Sequence, residues 1–236
     1  SLSSMLGVNG IWGWGYGTYS DILLQGQGPS HFNSLSRHAR NYHNLNWDIV
    51  DPDDPVDFNG MPGSLAQWWL DWDREYLAWD TAGLDVFVSL QFTNQNQPES
   101  SWDNPFQAAY NYGFSFAQHF GPSTGNGLVK RIEVGNEPWD YSPGSYRQVL
   151  QGMAEGIKAA DASMEVFPCA LQAVDSAAEL GIYKNFAGLR MTDAVRPYID
   201  GFNGHYYSYY NDLADILCSK IGLSFKKKYI KIIKND

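Results

Sequence analysis

The sequence predicts an α/β fold of the (β/α)8 barrel type, with about six β/α units and an atypical Lys-rich C-terminal tail. Three observations carry that expectation. Strand-like and helix-like segments alternate from Met5 to about Tyr210, the pattern of a parallel sheet whose crossovers are helices. Leu84 to Leu90 (LDVFVSL) is apolar almost throughout, as strands buried on both faces are. Arg131-Ile132-Glu133-Val134-Gly135-Asn136-Glu137-Pro138-Trp139 reads as a short buried strand that stops abruptly at a carboxylate. In such a barrel, chemistry sits at the C-terminal ends of the strands. The chain has 236 residues, room for one large domain with a sizeable core but slightly short of the roughly 250 of a complete barrel.

In chain order, Met5 to Asn9 is the first strand. Gly10-Ile11-Trp12-Gly13-Trp14-Gly15-Tyr16-Gly17 follows it. Alternating glycine and aromatic residues suit a loop whose backbone comes close to a ligand while the rings form a wall. Trp12 and Trp14 fit two roles equally, a sugar-stacking platform or a cap on the barrel end. Pro29 to Ser36 holds a short helix. Arg37 to Asn46 is the second strand, centred on Ala39-Arg40-Asn41-Tyr42-His43. The acidic loop Asp51 to Gly60 offers oxygen ligands, but its spacing misses the EF-hand pattern and two prolines interrupt it, so a solvated loop is expected and no metal site.

Ser64-Leu65-Ala66-Gln67 after Pro62-Gly63 is a capping box. It opens a helix whose Leu65, Trp68, Trp72, Tyr76 and Trp79 form one apolar stripe, and Gly83 stops it. The third strand is Leu84 to Leu90, with Gln91 and Asn94 near its active end. Amides there suit sugar hydroxyls, since each offers a donor and an acceptor; a merely polar loop explains them as well. Asn104-Pro105 and Ser142-Pro143 are N-cap and first-turn pairs. They open helices that run to about Phe120 and Ala160. The fourth strand, Lys130 to Val134, lies between them. Pro138 biases Glu137 toward an extended backbone. Met164 to Leu171 is the fifth strand, and Ile199 to Tyr206 the sixth.

Composition narrows the function. The net charge of −10 argues against nucleic acid and anionic membranes as partners. No run of 18 apolar residues suggests a membrane span, and Ser1 opens the chain with no basic-then-apolar leader. Aromatic residues make up 15%, including nine Trp and fifteen Tyr, more than a core needs and suited to stacking on sugar faces. Cys169 and Cys218 lack metal-type spacing. Gly10, Gly13 and Gly15 do not match a dinucleotide cradle, so no cofactor is expected. An acidic, aromatic-rich chain suits a secreted or periplasmic enzyme.

Asn136-Glu137-Pro138 at a strand end resembles the acid/base motif of glycoside hydrolase clan A, which includes cellulase-like, mannanase-like and β-xylosidase-like barrels. In that clan Asn-Glu ends the fourth strand. Gly204-His205-Tyr206-Tyr207 resembles the clan's His-x-Tyr on the sixth strand, matched by His205 and Tyr207. Arg40, with Arg37 second, resembles the clan's second-strand arginine, which bonds the nucleophile carboxylate; a surface arginine fits equally. The resemblance implies a retaining glycosidase. Glu137 would be general acid/base, Asn136 would bond the sugar 2-hydroxyl, and Tyr207 would bond the nucleophile. Trp12, Trp14, Trp139 and Tyr206 would line the subsites. Glu133 is expected to be structural.

Beyond that the chain departs from the clan, whose nucleophile is a Glu ending strand seven. No glutamate follows Glu179, and past Tyr207 the acids are Asp212, Asp215 and Asp236. From Lys220 to Asp236 there are six Lys and one Asp, net +5, against 10 basic and 25 acidic residues, net −15, before it. Residues 1–211 therefore read as a partial barrel and 212–236 as an atypical basic tail. A reading frame lost between Asp212 and Leu223 would explain the change and would remove strands seven and eight. Such an open barrel exposes two sheet edges, which predicts poor solubility or dependence on a partner unless the tail covers the gap. Two rival functions remain open: a carbohydrate-binding barrel without catalysis, and an unrelated barrel enzyme.

Overall fold

The computed structural model describes residues 7–9, 29, 32–58, 71–138, 140–169, 171–172, 193–206 and 230–234. Strands β1 (Gly7–Asn9), β2 (His38–Asn44), β3 (Asp85–Gln91), β4 (Val129–Val134) and β5 (Glu165–Pro168) lie side by side in that order, all parallel. A second parallel group contains β6 (Leu171–Gln172), β7 (Phe202–Tyr206) and β8 (Ile230–Lys234). Asp200 ties the groups together. Its N–H donates to the Val166 carbonyl at 2.9 Å, and its carboxylate accepts the Val166 N–H at 2.7 Å.

The predicted fifth strand is thus split. Pro168 pairs with Val134 but has no N–H to give, so the ladder with β4 ends there and β6 resumes alongside β7. The second strand is shorter than predicted, because Leu45–Trp47 turns into a 3-10 helix. The sixth begins at Phe202 rather than Ile199, after a turn at Arg196–Tyr198. Within the tail, Ile230–Lys234 pairs in parallel along the whole of β7, next in order after the predicted sixth strand. Three β-branched isoleucines in five residues favour a strand there.

Helices α1 (Trp72–Thr81), α2 (Pro105–Phe120) and α3 (Pro143–Ala160) cross between the strands of the first sheet. The two Pro-opened helices start where predicted. The Asn104 side chain accepts the Gln107 N–H, and that of Ser142 accepts the Ser145 N–H. Of the stretch predicted to be helical from Ser64 on, the described part is the helix from Trp72, where Asp71 caps it by accepting the Arg74 N–H at 3.0 Å. Ser64 to Gln67 and Trp68 lie outside the described residues. Gly83, at φ +81°, ends this helix as expected. A Cβ on Gly152 would sit 2.1 Å from the Phe106 carbonyl oxygen, and one on Gly156 the same distance from that of Tyr110. These glycines let α3 press directly onto the backbone of α2.

Alternation along β2 divides two worlds. Ala39, Asn41 and His43 face the helices, where Trp72, Tyr76, Phe116 and Phe120 pack around the His43 ring. Within this layer His43 Nε2 lies 2.6 Å from Asp48 Oδ2, which also accepts the Tyr112 hydroxyl at 2.6 Å. Burial pushes the Tyr76 and Tyr112 phenols well above their ordinary range. Arg40 faces the other way, toward the barrel interior.

Candidate active site

The site is built on the end of β4. Gly135 leaves the strand at φ +84°, and a Cβ there would lie 3.0 Å from Pro138 Cγ and 3.4 Å from Phe92 Cζ. The turn is held from both sides. The Gly135 N–H donates to the Leu90 carbonyl at 2.9 Å, and the Ser89 hydroxyl donates to the Gly135 carbonyl at 3.1 Å. Tyr146 on α3 donates its hydroxyl to the Val134 carbonyl at 2.9 Å and accepts the Cys169 N–H at 2.9 Å. One phenol therefore bridges the ends of β4 and β5.

Glu137 follows at φ +56°, in the left-handed region, which costs a residue with a Cβ about 1 kcal/mol or more. This corrects the extended backbone expected before Pro138. The local preference yields to the anchoring of its neighbours: Gly135 is bonded to β3, and the Tyr141 N–H donates back to the Pro138 carbonyl. Both Asn136 and Glu137 are half-buried at the strand end.

Arg40 organises the interior side. It is 3% exposed and pairs with the fully buried Glu133 through both Nε, at 3.1 Å, and Nη2. Nη2 also donates to Asn136 Oδ1 at 2.8 Å, and Nη1 donates to Asn9 Oδ1 at 2.9 Å. The Tyr42 ring lies 4.8 Å beneath the guanidinium, and the Asn9 amide donates to the Tyr42 hydroxyl. Burial alone would lower the Arg40 guanidinium, but the Glu133 carboxylate and Tyr42 beside it hold it above its ordinary value. Among the described residues Arg40, expected from the family resemblance to bond a nucleophile carboxylate, meets Glu133 and Asn136.

The other candidate residues fall as follows. Gln91 ends β3 and is half-buried. Asn94 is exposed, and its amide is spent on holding loops together: Nδ2 donates to the Asp140 carbonyl and Oδ1 accepts the Glu99 N–H, each at 2.7 Å. His205 and Tyr206 end β7, opposite Ile233 and Lys234. Trp12, Trp14, Trp139 and Tyr207 lie outside the described residues. So does Cys218, while Cys169 is buried at the end of β5. Among the described residues no group of His, Cys, Asp and Glu has a metal-binding arrangement, and no helix is long and apolar enough to cross a membrane. The sequence did not single out Ser89, Tyr146 or Asn9. Their contribution depends on long-range register, which no local motif records.

No family profile and no curated protein matches the chain. Solved structures do, and several of them are described as glycosidases. Cel5A from Thermotoga maritima, a mutant form in complex with cellobiose substrate, shares 12% identity with a TM-score of 0.57 over 85% of this chain and 59% of its own. An exo-β-1,4-mannosidase from Opitutaceae bacterium strain TAV5 shares 18% identity with a TM-score of 0.55, over 85% of this chain and 38% of its own. An endo-1,4-β-mannanase from Rhizomucor miehei shares 16% identity with a TM-score of 0.54, over 86% of this chain and 67% of its own. The fold is thus the parallel barrel of these enzymes. The chain spans 38%, 52% and 44% of the lengths of three other similar structures, among them a family 39 glycoside hydrolase from Bacteroides cellulosilyticus WH2.

Proposed function

We propose that the chain carries the acid/base half of a retaining glycosidase acting on a poly- or oligosaccharide. The observation that supports it most is Glu137 in a strained left-handed conformation at the end of the fourth parallel strand, beside an Asn136 amide fixed by a buried arginine. Strain of this kind persists where surrounding contacts over-determine it, commonly at reactive sites. The retaining mechanism needs two carboxyl groups roughly 5–5.5 Å apart. Glu137 would protonate the glycosidic oxygen as the C–O bond breaks. The second carboxylate would attack the anomeric carbon and hold the glycosyl unit. Glu137, now ionised, would take a proton from water as that water displaces the carboxylate. Asn136 would bond the sugar 2-hydroxyl. Past Glu179 no glutamate of this sequence can be the second carboxylate, so the chain alone is expected to bind sugar and turn it over negligibly. An aromatic-rich, acidic chain of this kind fits a secreted or periplasmic setting.

Titration calorimetry with cellohexaose and mannohexaose, run beside a reducing-end assay, tests this. Binding of either sugar supports the reading, and binding of neither counts against it. With a strand-seven glutamate restored, reducing ends should appear, and Glu137→Gln should lower kcat on unactivated glycosides by about 10²- to 10⁴-fold; near-normal turnover removes Glu137 from the role. The second reading is a barrel that binds carbohydrate without hydrolysis. It predicts binding by a restored chain with no reducing ends released.

A further inference from the structure

Glu133 is the carboxylate that the mechanism leaves unused, and it is fully buried directly behind the site. Holding Arg40 in place needs only an acceptor, which a neutral amide could supply. Burying an ion pair is costly in desolvation and not stabilising as such. The charge therefore calls for a reason. Arg40 supplies one, because its guanidinium has donors and no acceptor. The amide oxygens of Asn136 and Asn9 must face it, as they do at 2.8 and 2.9 Å. For Asn136 this commits Oδ1 to the interior and leaves the Nδ2 donor as the edge for a substrate oxygen. The same guanidinium, if uncompensated, would stabilise a carboxylate on the next residue, since a nearby positive charge favours the ionised form. An ionised Glu137 has no proton to give.

We propose that Glu133 is a positioning residue for the Asn136–Glu137 pair: its charge holds and cancels Arg40, so that the guanidinium orients the Asn136 amide without drawing the proton from Glu137. The purpose of that proton rests on the glycosidase reading, whereas the electrostatic coupling does not. The arrangement separates two effects of one arginine. Its hydrogen-bonding geometry reaches the site, and its field is absorbed on the interior side by the residue four positions earlier on the same strand.

The test is an NMR titration of the Glu137 side-chain carboxyl carbon in the full chain, assigned by its loss in Glu137→Gln. In Glu133→Gln, which keeps the shape and an acceptor but removes the charge, the Glu137 midpoint should fall by about one unit or more. A purely structural Glu133 would lower the melting temperature and leave the midpoint in place, and that result overturns the proposal. If Glu133→Gln does not fold, Arg40→Gln reads the same coupling with opposite sign. Glu133 then loses its guanidinium partner while keeping its charge, the midpoint should rise, and an unchanged or lowered midpoint overturns the proposal. Neither readout needs sugar, so a failure to bind cellohexaose or mannohexaose is distinct from a failure here.

Discussion

Removing the Tyr146 hydroxyl should loosen the C-terminal ends of β4 and β5 by an amount that the structure fixes. The phenol is fully buried and joins the Val134 carbonyl to the Cys169 N–H at 2.9 Å on each side. Burial pushes the phenol well above its ordinary range, so it stays a protonated donor at any working pH. Tyr146→Phe keeps the ring and its packing but strands one buried acceptor and one buried donor. Each unpaired group costs about 1–3 kcal/mol. Two such groups at the low end of that range give a net loss of about 2 kcal/mol. In a chain of this size that lowers Tm by roughly 4–8 °C. Calorimetric melting measures the total, and amide hydrogen exchange at Cys169 measures its location. A Tm within about 1 °C of the parent, with undiminished protection at Cys169, would show that the hydroxyl does not join the strands as described.

Two further substitutions probe the turn and the scaffold. Gly135→Ala places a Cβ 3.0 Å from Pro138 Cγ at φ +84°; steric cost and overpacking together should remove about 2 kcal/mol, and equal urea midpoints for the two chains would refute the close approach. Asp161 accepts the N–H groups of Ser123, Thr124 and Ser163 at 2.6, 3.0 and 3.0 Å. Burial alone would raise its carboxyl, but the Ser163 hydroxyl and these N–H groups bring it down to about 2. A depressed folded value means stability present above the unfolded value near 4 and lost as pH falls through about 2. Asp161→Asn should therefore be less stable than the parent by about 1 kcal/mol at pH 7, with the gap closing near pH 2; a gap independent of pH would assign the effect to shape alone.

Much of this architecture is legible in the sequence because its signals are local. Asn104-Pro105 and Ser142-Pro143 mark helix starts to the residue, and the apolar run at Leu84 marks β3, since capping chemistry and two-sided burial leave direct traces. Asp71, which caps the helix at Trp72 by accepting the Arg74 N–H, leaves a weaker trace, because a lone aspartate carries no capping-box partner to mark it. Ile230–Lys234 shows the opposite weakness. Its lysines set it apart by composition, whereas strand pairing depends on β-branched residues and an available neighbour, which the net charge of a segment does not register.

The site divides along the same line. Asn136-Glu137 is readable because the motif is contiguous, but the conformation of Glu137 is not, because Pro138 argues locally for an extended backbone while the contacts that override it come from β3, β5 and α3. The roles of Glu133 and Arg40 lie 93 positions apart. Their pairing follows only once β2 and β4 are known to flank β3, with Arg40 and Glu133 on its interior face. Contiguous residues in this barrel thus announce where a proton could be transferred. The residues that would set when it is held or released are brought together by register, and a change at Glu133 reaches Glu137 through Arg40.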